Sequence, residues 1–89
     1  MIQENADPKV LEDLLIFFSK SVPNSSKYLH QSEGSDDMPA HIKSSITNTS
    51  LSFSIQGGRL ILGTWQGIYL FDHRDKPHSR KVYLHFMGE

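Results

Sequence analysis

Two glycines enclose the triplet at residues 64–66 and separate two short apolar runs, residues 60–62 and 68–71. A glycine on each side weakens a strand, because glycine loses the most backbone entropy on folding and has no side chain to pack. The pattern predicts a bulge, or a point where the backbone comes close to another group. The plainer interpretation is an ordinary corner between strands with Trp65 in the core.

The first helix is predicted to begin at Asp7, whose carboxylate can cap it, with Pro8 in the first turn. Apolar residues recur at three- and four-residue spacing over 10–18, and the apolar face they form is expected to cover one face of a sheet. Pro23 ends this helix, because proline disfavours helical geometry in the residue before it. The polar residues 24–36 are predicted to be a loop.

A second, short helix is predicted from Met38 to about Ile46, with Asp37 as its cap. Met38, Ile42 and Ile46 fall at four-residue intervals and should face the core. A helix N-terminus offers free N–H groups and a partial positive charge, so this one can attract a phosphate. Asp37 and His41 are four residues apart and should therefore lie near one another at that end.

The second half of the chain follows the two-residue period of strands. Serine alternates with apolar residues over 50–55, the glycine pair at 57–58 is a hairpin signal, and residues 59–62 return as the partner strand. Two further strands are predicted at residues 68–71 and 81–87, on either side of a loop at 72–79. We therefore expect one α+β domain over residues 1–89: an antiparallel β-sheet with one long and one short helix packed on it.

Composition excludes several classes of function. The chain has 89 residues, of which 37% are hydrophobic and 21% charged, as in an ordinary soluble domain. Its net charge of −1 points to neither nucleic acid nor an anionic membrane as a partner. The absence of cysteine excludes disulfides, thiolate zinc sites and cysteine nucleophiles, and without a signal-like N-terminus it predicts a cytoplasmic protein. No apolar run is long enough to span a bilayer.

Residues 50–68, SLSFSIQGGRLILGTWQGI, resemble the signature of the YjbQ-like family, which is also named for a secondary thiamine-phosphate synthase activity. Phe53 departs from the family form, in which an aliphatic residue is usual. Three further stretches agree with the family, namely residues 4–8, residues 36–43, and His73-Arg74 followed by Ser79-Arg80. The resemblance spans nearly the whole chain.

Family members begin well upstream of Met1, with strands that carry a His-Thr-Ser/Thr-Ala motif. The resemblance therefore implies that this sequence lacks the N-terminal strands, either through true loss or as a truncated or mis-started gene product. Residues 1–5 would be the tail of a family strand, and they are expected to leave an unpaired sheet edge. The family assembles as trimers, so the resemblance also implies a homotrimer.

The resemblance further implies an enzyme that handles phosphorylated small molecules, with an anion site, a divalent cation (Mg or Zn) and a platform for flat rings. Asp37 and Glu4 are assigned cation or polar contacts, and His41 is assigned proton transfer or ligation; these three are the predicted catalytic residues. The predicted substrate-binding residues are Asn5, Trp65, Gln66, His73, Arg74 and Arg80. The metal ligands stay unassigned, and the histidines at 30, 78 and 85 show no spacing that marks a metal site.

Each assignment has a plainer alternative. Asp37 would be only a cap, His41 a surface residue, and the two arginines charges at a solvated hairpin end. For the whole chain, one hypothesis is a transferase that joins a pyrimidine diphosphate to a thiazole phosphate with loss of pyrophosphate. The other is a catalytically inactive remnant that serves as a structural or oligomer-forming module.

Overall fold

The computed structural model describes residues 1–25 and 27–89. In chain order its elements are β1 Ile2–Gln3, α1 Pro8–Ser21, α2 Asp37–Ile46, β2 Ile55–Gln56, β3 Arg59–Leu60 and β4 Gly67–Ile68. β1 pairs antiparallel with β4, and β2 pairs antiparallel with β3. The predicted α+β class is confirmed, but the described strands form two separate two-stranded ribbons where one sheet was expected.

α1 has the predicted start and end. The carboxylate of Asp7 accepts a hydrogen bond from the backbone N–H of Lys9 at 2.8 Å, and Pro8 is the first helical residue. At the other end Val22 is the C-cap, and its N–H donates to the carbonyl of Phe18 at 2.9 Å. Val22 is 5% exposed, so the end of the helix is anchored in the interior.

The apolar face of α1 lies against the segment that follows β4. The ring of Phe18 meets the ring of Phe71 edge-on, with 5.0 Å between centroids. Leu11, Leu14 and Leu15 line a shared apolar pocket with Met1, Tyr69 and Leu70. The cover is incomplete, because Leu15, Ile16 and Phe17 are each more than half exposed. Neither described helix has the length and apolar character needed to cross a membrane.

α2 begins one residue earlier than predicted. Asp36 occupies the N-cap position without making a side-chain cap, and Asp37 is the first helical residue. The prediction that Asp37 caps the helix is therefore wrong: its carboxylate is 1% exposed and is used by other side chains. Asp36 makes no cap because its Oδ2 accepts from the backbone N–H of Asp75 at 3.1 Å. Ile46, predicted to face the core, is 62% exposed.

The glycine pair forms the predicted hairpin. Gly57 has φ +59° and Gly58 has φ +75°, in the left-handed region that a two-residue hairpin turn requires. The ladder pairs Ile55 with Leu60 and Gln56 with Arg59. The strands are shorter than predicted, and every residue from 48 to 61 is exposed, so this hairpin adds no buried residue to the core.

The N-terminal strand is paired with β4 along one of its edges. Ile2 pairs with Ile68 and Gln3 with Gly67, and the N–H of Tyr69 donates to the carbonyl of Met1 at 2.7 Å. In the described part of the chain this ribbon has two strands only, so its outer edges stay open.

The strand predicted at residues 81–87 is wrong. The segment has no ladder partner and is exposed throughout, with Tyr83 at 87% and Leu84 at 86%. Alternation alone does not make a strand, because a strand is stabilised by a neighbour that none of the described segments supplies here. Of the predicted loop at 24–36, Ser26 lies outside the described residues, and the remainder contains no helix or strand.

Candidate functional site

The carboxylate of Asp37, at the start of α2, is the centre of the candidate site. Its Oδ1 accepts a hydrogen bond from Nη1 of Arg74 at 2.5 Å. Its Oδ2 lies 2.9 Å from Nε2 of His30 and 3.3 Å from Nε2 of His41. The Asp37 side chain is 1% exposed, whereas the two histidines are about half exposed. A covered carboxylate therefore faces an arginine on one side and two accessible imidazoles on the other.

Three segments bring these groups together. His41 follows Asp37 by one helical turn, so both lie on the same face of α2. Arg74 comes from the loop after β4, and that loop is held to the start of α2 by the bond from the Asp75 backbone to Asp36. Asn24, just after α1, donates from Nδ2 to Oδ2 of Asp75 at 2.7 Å. The end of α1, the start of α2 and this loop are thus joined by hydrogen bonds.

Asp72 organises the loop internally. Its carboxylate accepts from the backbone N–H of Arg74 at 3.0 Å, and from Nε and Nη2 of Arg80 at 2.9 and 3.0 Å. The bidentate bond to Arg80, followed by the bond from the Arg74 backbone, holds the pKa of Asp72 well below its usual range. Arg80, one of the predicted substrate-binding residues, is therefore engaged within the loop.

Asp37 keeps its negative charge at neutral pH. The hydrogen bond from Arg74 is the main reason that the pKa of Asp37 lies below its ordinary value, and it outweighs the opposing effect of burial. His41 contributes in the same direction. A carboxylate must be ionised to bind a metal ion, and Asp37 meets that requirement at neutral pH.

The second oxygen of Asp37 lacks a hydrogen bond. Oδ2 is buried and has no hydrogen-bond partner among the described residues, although the ring nitrogens of His30 and His41 are near it. Both ring nitrogens are within about 3.3 Å of Oδ2, yet neither makes a hydrogen bond to it. It follows that neither ring directs an N–H at this oxygen. Three ligand atoms, one oxygen and two nitrogens, instead lie within 4.8 Å of one another.

That donor set fits a transition-metal ion. One carboxylate oxygen and two imidazoles, with further positions open, are typical of zinc and related ions, whereas magnesium takes oxygen ligands. Ligand atoms about 2.0–2.1 Å from a tetrahedral zinc ion lie about 3.3 Å apart. The separations of 2.9 and 3.3 Å around Oδ2 are close to that value.

A polar cleft of about 480 Å³ adjoins the Asp37 cluster. Arg74 belongs to both, since it lines the cleft and donates to Asp37. Lys43, His73 and Asp75 also line the cleft, and its apolar wall includes Phe18, Val22 and Phe71. The ring of Phe71 contacts that of Phe18 at 5.0 Å and that of His73 at 4.5 Å. The cleft thus combines basic groups, the carboxylates of Asp72 and Asp75, and an aromatic wall.

His73 is held neutral in one tautomer. The hydroxyl of Thr47 donates its single proton to the carbonyl of Lys43 at 2.7 Å, so its oxygen can only accept from Nε2 of His73, 3.2 Å away. The proton is therefore on Nε2, and the buried Nδ1 is an acceptor without a partner in the described structure. Burial, and next the charge of Lys43, lower the pKa of His73 below its ordinary value.

The structure brings together only some of the residues predicted from the sequence. Asp37, His41 and Arg74 form one cluster, and His73 lies in the adjoining cleft. His30, to which the sequence analysis gave no role, completes the cluster. It lies in an irregular segment seven residues before Asp37, and no motif or spacing in the sequence could have revealed it.

The other predicted site residues make local contacts that do not reach Asp37. Asn5 accepts from the backbone of Asp7 at 2.9 Å, Gln66 accepts from the backbone of Gly63 at 2.6 Å, and Glu4 is exposed. Trp65 is 70% exposed, so the interpretation of a core tryptophan is wrong.

The close approach predicted near the glycines is confirmed at Gly67. A Cβ atom there would lie 2.8 Å from the ring of Tyr69. Next to this turn, the carbonyl of Trp65 accepts from the backbone N–H of Ala6 at 2.7 Å. Gly67 thus leaves room for the ring of Tyr69 beside the strand that pairs with β1.

Comparison with known proteins identifies the class. Residues 1–89 match the family model described as UPF0047 protein YjbQ-like. The chain is 57% identical over 90 residues to the UPF0047 protein sll1880 of Synechocystis sp., covering 100% of this chain and 61% of that protein. It is 47% identical over 88 residues to the UPF0047 protein YjbQ of Escherichia coli O157:H7, covering 99% of this chain and 64% of that protein.

These matches confirm the resemblance drawn from the signature. The chain belongs to the YjbQ-like UPF0047 family. It is also 44% identical over 87 residues to the UPF0047 protein YugU of Bacillus subtilis, covering 98% of this chain and 64% of that protein. The chain therefore spans less than two thirds of the length of these relatives. No solved structure matches it significantly.

The half-buried His73, whose pKa is lowered, predicts a loss of stability in mild acid. As the pH falls below the ordinary histidine pKa of 6.5, His73 becomes protonated in the unfolded chain but stays neutral in the folded chain. Because the unfolded state then binds more protons, the free energy of unfolding decreases. His73→Gln keeps an N–H for Thr47 but cannot titrate, and its urea midpoint should fall less steeply between pH 7 and pH 5. The exposed His85→Gln should keep the wild-type slope. Equal slopes for His73→Gln and the wild type would contradict this assignment.

Proposed function

We propose that this chain carries a metal-dependent site that acts on phosphorylated small molecules. The observation that carries the proposal is the buried Oδ2 of Asp37, which has no hydrogen bond from the described residues and faces the Nε2 atoms of His30 and His41. The reaction we propose is the one implied by the family resemblance, a weak thiamine-phosphate synthase activity. In it a pyrimidine diphosphate is joined to a thiazole phosphate and pyrophosphate is released.

The cluster of His30, Asp37 and His41 supports one step of this reaction, the release of negatively charged pyrophosphate. A bound divalent cation would neutralise the negative charge of a leaving pyrophosphate. His30, Asp37 and His41 would hold it, and this mixed nitrogen and oxygen set favours zinc over magnesium. The bond from Arg74 keeps Asp37 ionised for that purpose.

The adjoining cleft supplies groups for an anionic substrate. A guanidinium has five N–H donors, and Arg74 gives one of them to Asp37, so others remain for phosphate. Lys43 lines the same cleft, is only half-buried, and forms no ion pair with any described residue. The contacting rings of Phe18, Phe71 and His73 offer an apolar wall to a flat heterocycle.

The remaining predicted roles stay predictions. Nothing in the contacts of Glu4, Asn5, Trp65 and Gln66 joins them to the cluster, and Arg80 is held by Asp72. A homotrimer and a cytoplasmic location belong to the proposal as well. The resemblance supports the trimer, and the absence of cysteine supports the location.

A coupled assay for thiamine phosphate tests the proposed activity with the purified chain in the presence of zinc. Asp37→Asn removes the negative charge of the ligand and of the ion pair with Arg74 while keeping the side-chain volume, so product formation should fall to background. Asp13→Asn, an exposed change on α1, should leave the rate unchanged. Absence of product from the wild type, or equal rates for the wild type and Asp37→Asn, would defeat the proposal.

A second candidate function, a structural or oligomer-forming module, is favoured by the shape of the chain. Its radius of gyration is 15.9 Å, whereas a compact domain of this length would have about 12 Å. In the described structure the buried hydrophobic residues are Val22 and Ala40 alone. Large apolar side chains are exposed instead, among them Leu84 and Phe86 near the C-terminus. Such a surface is typical of a chain that is completed by other copies or by further chain.

Size-exclusion chromatography with light scattering tests this candidate. We expect the wild type to elute at three chain masses, because association would bury the apolar residues of the C-terminal segment. Leu84→Glu should shift the population towards monomer, since a charge would have to be buried, whereas the matched Lys81→Glu should not. A monodisperse wild-type monomer would rule out self-association.

A further inference from the structure

We infer that Arg74 is a positioning residue for the metal centre: by holding Oδ1 of Asp37, it fixes the carboxylate so that Oδ2 faces His30 and His41. The inference rests on the metal site proposed above. It assigns Arg74 a structural task in metal binding, separate from any contact that it makes with substrate.

The two carboxylate oxygens of Asp37 have different neighbours. Arg74 donates to Oδ1 at 2.5 Å, and both imidazoles approach Oδ2. A carboxylate without a partner on one oxygen can rotate about its Cβ–Cγ bond and present either oxygen. A strong bond to Oδ1 restricts that rotation, which is how outer hydrogen bonds orient metal ligands in general.

Arg74 is itself held in place by bonds on both sides. Its own backbone N–H donates to Asp72 at 3.0 Å, and the backbone of the next residue, Asp75, donates to Asp36 at 3.1 Å. Two consecutive residues at the start of α2, the N-cap Asp36 and the first helical residue Asp37, therefore meet two consecutive residues of the loop. Arg74 is also 29% exposed, the least exposed of the three partners of Asp37. The backbone that carries the guanidinium is thus held by the fold, and the guanidinium itself is held by its ion pair with Asp37.

An effect of the Arg74 charge and an effect of its orienting bond to Asp37 predict opposite changes in metal affinity when Arg74 is removed. A guanidinium close to a metal ion repels it, so if charge alone mattered, removal of Arg74 would tighten metal binding. If Arg74 orients Asp37, its removal releases the carboxylate, and binding weakens in spite of the relieved repulsion. The direction of the change in metal affinity therefore decides whether Arg74 acts mainly by repelling the ion or by orienting Asp37.

The experiment is a titration of the purified full chain with Co²⁺, followed by its visible absorption, and with Zn²⁺ by calorimetry. Arg74→Gln should weaken binding by about 10- to 100-fold, the usual effect of losing an outer-sphere partner. Arg59→Gln removes the same charge from the exposed hairpin and should bind like the wild type. Arg74→Lys should restore part of the affinity, because lysine can still donate to Oδ1 but without the rigid geometry of arginine.

The outcomes separate this inference from the metal site. Loss of the Co²⁺ spectrum in His30→Ala, together with weakened binding in Arg74→Gln, supports both. Unchanged or tighter binding in Arg74→Gln overturns the role of Arg74 and leaves the site intact. A wild type that gives no Co²⁺ spectrum overturns the site and the inference together. Should circular dichroism show that Arg74→Gln has lost its helices, Arg74→Lys decides, and affinity equal to that of the wild type would overturn the inference.

Discussion

The bond between Arg74 and Asp37 is the interaction on which the rest of the site depends. Asp37 is 1% exposed, and a covered carboxylate is unfavourable unless it is paired. Arg74 pairs it through one oxygen only, and this asymmetry leaves the second oxygen facing two histidines. The same bond joins the loop after β4 to the start of α2. The charge and the geometry of the site therefore depend on the same bond.

The polar contacts of this chain are better developed than its apolar core. Asp36, Asp72 and Asp75 each accept a bond that ties the loop either to itself or to a helix, and Asn24 adds the end of α1. By contrast, α1 leaves much of its apolar face uncovered, and residues 81–87 make no ladder. The site is thus held by hydrogen bonds within a chain that leaves much of its apolar surface exposed. The chain spans under two thirds of its relatives, which carry additional residues.

The parts of the fold predicted correctly from the sequence are governed by near neighbours. Asp7 and Pro8 mark the start of α1, and the glycine pair at 57–58 marks the hairpin, because each acts within one turn of the chain. The proximity of Asp37 and His41 follows from helical spacing alone. Choosing between Asp36 and Asp37 as the cap was beyond sequence reasoning, because either aspartate can cap and the choice is made by a distant loop residue.

The features that could not be predicted from the sequence depend on contacts between residues far apart in the chain. His30 reaches Asp37 from an irregular segment, where no periodicity constrains a side chain. Arg74 was predicted to bind phosphate through the family resemblance, but its pairing with Asp37 spans 37 residues and appears only in three dimensions. The strand predicted at 81–87 had the right alternation, and it failed because a pattern does not contain the neighbouring strand that it needs.

Anomalous diffraction from crystals grown with zinc tests the central claim most directly. The account predicts a peak about 2.0–2.1 Å from Oδ2 of Asp37 and from Nε2 of both His30 and His41, with Arg74 still bonded to Oδ1. A zinc ion bound elsewhere, or a peak at Asp37 from which His30 has turned away, would contradict it.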